Sequence, residues 1–170
     1  SREVDGTVRL TSEQRNLYEL VQGTQGRSGQ QLDIWSAVFG PLGSDGYFRP
    51  LFDKRTGEID PEVADYWRAN YDLLEYLKNN WSWLGPKLMG KLHIYTGTRD
   101  TYFLEQAVME MEAWMKTTEN PHYEGFFLYG NQEPHCWSGP VGTAERLKEM
   151  ATYGLSRMPE HATAPWWEVR

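Results

Sequence analysis

Two short apolar runs, Lys-Leu-His-Ile-Tyr-Thr at residues 91–96 and Gly-Phe-Phe-Leu-Tyr at residues 125–129, stand on either side of a single helical stripe formed by Leu104, Ala107, Val108, Met111, Trp114 and Met115. Each run is rich in β-branched or aromatic residues and stops at a glycine, Gly97 or Gly130, so each predicts a strand. A hairpin cannot hold a helix in its connection, so strand, helix and strand form a right-handed βαβ unit with parallel strands. Parallel strands are normally covered on both faces and flanked by further strands. Only two can be read here, so the remaining strands, including the sheet centre, are expected from a preceding segment or a separate chain.

The rest of the chain reads as helices joined by loops. Thr11 and Gln14 have the spacing of a capping box ahead of Leu17, Tyr18, Leu20 and Val21, which predicts a helix over 11–21. Three glycines in residues 23–29 open a loop. Leu32, Trp35, Ala37, Val38 and Phe39 then predict a short helix ending at Gly40-Pro41. Residues 43–57 read mostly as loop. Asp60-Pro61 supplies an N-cap and a proline at the first helical position, and Val63, Tyr66, Trp67, Asn70, Leu74 and Leu77 continue a helix over 61–79. A last helix is predicted over 142–155. The expected organisation is an α/β unit over 1–170, either a single domain or the C-terminal fragment of one. It comprises a helical segment at 11–80, the βαβ unit and following loop at 91–139, and the C-terminal helix.

The 170 residues carry 17 basic and 24 acidic side chains, a net charge of -7, with no basic stripe to neutralise phosphates, which argues against a nucleic-acid partner. No apolar stretch approaches the roughly 20 residues a membrane helix requires. The lone Cys136 excludes an internal disulfide and a multi-cysteine metal knuckle. The chain opens on Ser1 without a signal peptide, as expected of a processed product or a fragment. Eight Trp and ten Tyr are enough either to fill a large core or to line a binding surface.

Ligands of open parallel sheets bind beyond the carboxyl ends of the strands. Asp100 follows the first strand through Gly97-Thr98-Arg99, and His135 follows the second through Gly130-Asn131-Gln132-Glu133-Pro134. Adjacent parallel strands would bring the two loops together, with the carboxylate fixing the imidazole tautomer while the other ring nitrogen moves a proton. The alternative is that Asp100 caps the helix starting near Thr101 and His135 packs against Trp137. Cys136 reads as a packed small hydrophobe. Asp53, Gly57 and Asp60 faintly echo a calcium loop but lack its spacing and closing glutamate, so they read as a turn and a cap. His93, His122 and His135 have no metal-ligand spacing, and neither a metal nor a cofactor is expected. Trp81, Trp83, Trp166 and Trp167 read as hydrophobic contact with the missing half, or else as a sugar-stacking platform or a lid over an acyl pocket.

Residues 91–100, Lys-Leu-His-Ile-Tyr-Thr-Gly-Thr-Arg-Asp, resemble the late strand and acid loop of α/β-hydrolases, and residues 129–137, Tyr-Gly-Asn-Gln-Glu-Pro-His-Cys-Trp, resemble the histidine loop after their final strand. The chain is similar to bacterial esterase-like proteins of that superfamily, in which a Gly-rich segment like residues 23–29 and a Phe-Gly-Pro-Leu-Gly-Ser-Asp-Gly-Tyr stretch like residues 39–47 precede this half. The resemblance spans residues 11–139 and implies the C-terminal part of a three-layer α/β-hydrolase-like fold. It makes Asp100 the triad acid and His135 the general base, and implies a secreted or periplasmic origin. These enzymes place their nucleophile in Gly-x-Ser-x-Gly upstream of the acid, and this chain has no such motif. Gly26-Arg27-Ser28-Gly29 has the wrong spacing, so Ser28 reads as a loop serine. The implied function is the C-terminal portion of a serine-dependent hydrolase acting on small esters or acyl compounds. Its partner would be the N-terminal half of the same protein or a companion chain bearing the serine. The competing expectation is a non-catalytic binding or structural module presenting a Trp-rich surface to carbohydrate or protein.

Overall fold

The structure, a computed structural model, describes residues 1–27 and 30–159. Its elements are α1 (Ser12–Leu20), α2 (Gln31–Phe39), α3 (Pro61–Tyr71), α4 (Leu73–Leu88), β1 (Leu92–Gly97), α5 (Leu104–Met115), β2 (Gly125–Gly130) and α6 (Thr143–Ser156). β1 and β2 pair in parallel, from Leu92 opposite Gly125 to Gly97 opposite Gly130, and α5 makes the crossover and packs on β1. Among the described residues the sheet has only these two strands, so each keeps one unpaired edge. No helix among them is long and apolar enough to cross a membrane.

Local signals set most helix starts. The Thr11 hydroxyl accepts from the Gln14 backbone N–H at 3.1 Å while the Gln14 side chain accepts from the Thr11 N–H at 3.0 Å, a reciprocal capping box. Asp60 caps α3 by accepting from the Glu62 and Val63 amides. Asp53 closes a tight turn by accepting from Arg55 and Thr56. Residues 43–57, expected as loop, are organised into two such turns, bridged by Leu42 with Phe48 and Phe52 with Ile59.

The helix expected over 61–79 is instead two helices. Asp72 takes an extended backbone (φ -74, ψ 102), ends α3, and accepts from the Glu75 amide at 3.0 Å to cap α4. The apolar period runs on across this joint, with Val63 buried before it and Leu77 after it, so periodicity alone could not reveal the break. α4 also continues to Leu88, through Gly85-Pro86 and beyond the expected end at residue 79. At Gly85 this helix makes a close approach. A Cβ at Gly85 would fall 2.7 Å from Cδ of Pro121, and the Trp81 indole donates to the Pro121 carbonyl at 2.9 Å while standing edge-on to Trp114 of α5 at 5.4 Å.

The apolar interior is small. Among the described residues its buried hydrophobic side chains are Val63, Leu77 and Met115, one each from α3, α4 and α5. Ile34, Trp35 and Val38 of α2, Leu73 of α4, and Leu147 and Met150 of α6 lie exposed. α6 meets the sheet through Arg146, which stacks on Tyr95 at 4.1 Å and donates to its hydroxyl at 2.7 Å, and through Tyr153, whose ring lies 4.5 Å from that of His93. Gly85→Ala tests the α4 contact. On an open helix face it would stabilise by up to about 1 kcal/mol, but against Pro121 it should cost about 1–3 kcal/mol, read as a lowered midpoint in urea unfolding.

Candidate functional site

The register that sets Gly97 opposite Gly130 brings the two following loops into contact. A Cβ at Gly97 would fall 2.1 Å from the Glu133 carbonyl oxygen, and one at Gly130 would fall 2.6 Å from the Trp137 ring. The second loop therefore folds back directly over the ends of both strands. Three hydrogen bonds stitch it to the first: Thr98 N–H to the Gly130 carbonyl (2.9 Å), Arg99 N–H to the Glu133 carbonyl (3.0 Å), and Gln132 N–H to the Thr98 hydroxyl (2.8 Å).

This stitching delivers Asp100 to His135, with Asp100 Oδ2 2.8 Å from His135 Nδ1. The other carboxylate oxygen, Oδ1, accepts from the Tyr102 amide at 2.7 Å and the Leu104 amide at 3.4 Å, at the start of α5. The helix expected to start near Thr101 under an Asp100 cap begins instead at Leu104, with Phe103 at its N-cap position and no side-chain cap; Asp100 Oδ1 holds the turn leading into α5, while Oδ2 is the histidine's partner. An ionised carboxylate is acceptor-only, which puts a proton on Nδ1 and leaves Nε2 as the outward nitrogen. Burial pushes the Asp100 carboxyl up, but the His135 hydrogen bond and the Tyr102 and Leu104 amides outweigh it and hold the group below the ordinary carboxylate range.

The Asp100 side chain is 5% exposed and that of His135 38% exposed, so the acid is sealed while the imidazole still reaches solvent. Tyr102, not Trp137, is the ring recorded against His135, edge-on at 5.0 Å. Among the described residues no hydroxyl or thiol is hydrogen-bonded to His135 Nε2. Ser28, Trp166 and Trp167 lie outside the described residues. Cys136, expected to be packed, is exposed: its left-handed backbone (φ 64) sits on a turn that no other element covers. Phe103 (φ 64) and Gln132 (φ 57) share this conformation, so three of the four left-handed non-glycine residues among those described flank the pair. Such strain concentrates where surrounding contacts over-determine a site.

The two described members of the predicted tryptophan set, Trp81 and Trp83, do not form one platform. Trp81 packs inward, and Trp83 is exposed beneath the Lys87 ammonium at 4.6 Å. Away from the pair, Lys54 donates to Asp33 at 2.5 Å and to the Gly26 carbonyl at 3.0 Å, with Glu19 3.9 Å away. Nothing local in the sequence marks this buried cluster. Tyr102 and Thr98 were also missed, although both sit within the motif around Asp100. Arg2 was missed as well, and it carries no local signal.

The fold and the pair together define an α/β protein with an acid–histidine couple at the carboxyl ends of two parallel strands. No known protein family, curated protein or solved structure matches the chain.

A folded-state pKa below the unfolded one contributes stability above the unfolded value and loses it as the pH falls through the folded value. Wild type should therefore exceed Asp100→Asn in thermal stability by a constant margin at neutral pH. That margin should shrink below the ordinary carboxyl value of 3.8, as followed by paired unfolding curves across acidic pH.

Proposed function

We propose that this chain supplies the acid and general base of a serine-dependent hydrolase of esterase type, within an α/β-hydrolase-like fold completed by a polypeptide segment that bears the nucleophile. The observation that carries this reading is the 2.8 Å contact between a sealed Asp100 carboxylate and a half-exposed His135. In such an enzyme His135 Nε2 takes the proton of the serine hydroxyl as its oxygen bonds to the ester carbonyl carbon. The imidazolium, held by Asp100, then protonates the departing alkoxide as the ester C–O bond breaks. Water repeats the sequence on the acyl-enzyme, releasing the acid and restoring the serine.

Two further features support an incomplete assembly. The outer edges of β1 and β2 are unpaired among the described residues, and large side chains on α2, α4 and α6 lie open to solvent. Beside the pair, Tyr102 also walls a cleft of about 340 Å³ with Arg9, Arg15 and Leu10, within the size range that holds small ligands.

Native purification without denaturant, with intact-mass and sequence analysis of whatever accompanies the chain, is the test. The expected result is a polypeptide containing Gly-x-Ser-x-Gly and an assembly that cleaves small activated esters. Asp100→Asn and His135→Ala should then each lower turnover by roughly 10⁴-fold. Isolation of the 170-residue chain alone, folded, monomeric and inert to esters, would sink the proposal in favour of a binding module.

A further inference from the structure

The first ten residues show no helical or strand periodicity, yet they grip the acid loop from its outer side. The Arg2 backbone N–H donates to the Thr101 carbonyl at 3.0 Å, and its Nε donates to the Asp100 carbonyl at 3.0 Å. Nη2 of the same guanidinium donates to Glu105 Oε1 at 2.5 Å, and the group lies over the Phe103 ring at 4.2 Å. One side chain and its own amide therefore touch residues 100, 101, 103 and 105, the whole turn between the end of β1 and the start of α5.

The arginine is held firmly enough to act as a clamp. Its side chain is 13% exposed and that of Glu105 is 6% exposed, so the ion pair is largely removed from water. The segment around it closes on itself: Glu3 N–H donates to the Thr7 carbonyl at 2.8 Å, Arg9 N–H to the Ser1 carbonyl at 3.0 Å, and Arg2 bridges Val8. The acid loop requires such support. Phe103 sits in a left-handed conformation that a bulky residue adopts only when its surroundings enforce it, and its amide also donates to the Asp100 carbonyl at 3.3 Å.

We infer that Arg2 is a positioning residue for the Asp100–His135 pair, fixing the Asp100 backbone so that Oδ2 stays on His135 Nδ1. The inference rests on reading that pair as acid and base. Arginine suits the task because a planar fork can serve a carbonyl and a carboxylate at once, whereas a lysine ammonium at the end of a flexible stem has no such fixed pair of donors.

The test follows the His135 Nδ1 proton by NMR in the native protein, together with any polypeptide that co-purifies. Arg2→Lys keeps a positive charge opposite Glu105 but loses the fork. The double variant Arg2→Met with Glu105→Gln removes the ion pair as a unit and strands no buried charge. Both should keep the wild-type circular dichroism spectrum while exchange of that proton with water accelerates roughly tenfold, as for the loss of a restraining hydrogen bond. In an ester-cleaving assembly kcat should fall with KM unchanged. An unaltered His135 proton in either folded variant, or loss of the fold in both, would overturn the assignment. Absence of ester cleavage in wild type would count against the hydrolase reading alone, because the proton readout does not depend on turnover.

Discussion

The parallel pairing of β1 with β2, ending on Gly97 opposite Gly130, is the constraint from which the rest of the site follows. A shift of one residue would turn every side chain to the other face and separate the loops that follow. With the register as it stands, two positions without a Cβ lie together at the strand ends, and the Glu133 and Pro134 carbonyls occupy the space beside Gly97. The hydrogen bonds from Thr98 and Arg99 then run outward from the sheet as a continuation of its ladder. His135 reaches Asp100 because the backbone between them is paired almost without interruption.

The helical half is organised on a different principle. Glu19 of α1 is fully buried, and its Oε1 accepts from the Leu32 amide at 3.1 Å, near the N-terminus of α2, where negative charge is favoured. Lys54 comes from the loop after Phe52 to face both Glu19 and Asp33. This cluster joins α1, α2 and the loop in a way that leaves the apolar faces of α2 free to point outward. Removing one partner of such a buried set leaves an uncompensated charge, at a cost of about 3–5 kcal/mol. Aromatic edges do the remaining work: Phe39 of α2 meets Trp67 and Tyr71 of α3 at 5.7 and 5.0 Å.

What was legible in the sequence was whatever depends on near neighbours in the chain. The Thr11–Gln14 box, the Asp60 cap, both strands and their parallel sense can be read because each rests on a spacing of a few residues or on the length of one connection. The pair itself was legible because topology places the two strand ends together. What escaped depends on distance in space. The break at Asp72 hides within an unbroken apolar period, and the packing of α4 at Gly85 is against Pro121, far along the chain. The Lys54 cluster and the Arg2 grip join residues far apart in sequence through hydrogen-bond geometry that no pattern encodes. Cys136 was misjudged because its exposure follows from a left-handed turn, which sequence signals announce only for glycine and asparagine.

The double role of Asp100 bears on why an acid occupies this position. Serine, threonine and asparagine accept backbone N–H bonds at a helix entry about as well as aspartate, so the turn into α5 alone does not call for a carboxylate. Holding that turn uses only Oδ1. The second oxygen is then buried beside it, and a buried carboxylate oxygen without a donor leaves its desolvation cost uncompensated. His135 is the donor to Oδ2, and it could have satisfied Nδ1 with water, since its ring is partly exposed. The demand for the contact therefore comes from the acid's side. A neutral side chain could hold the turn without an enclosed charge, whereas a carboxylate here also holds the imidazole in a single tautomer.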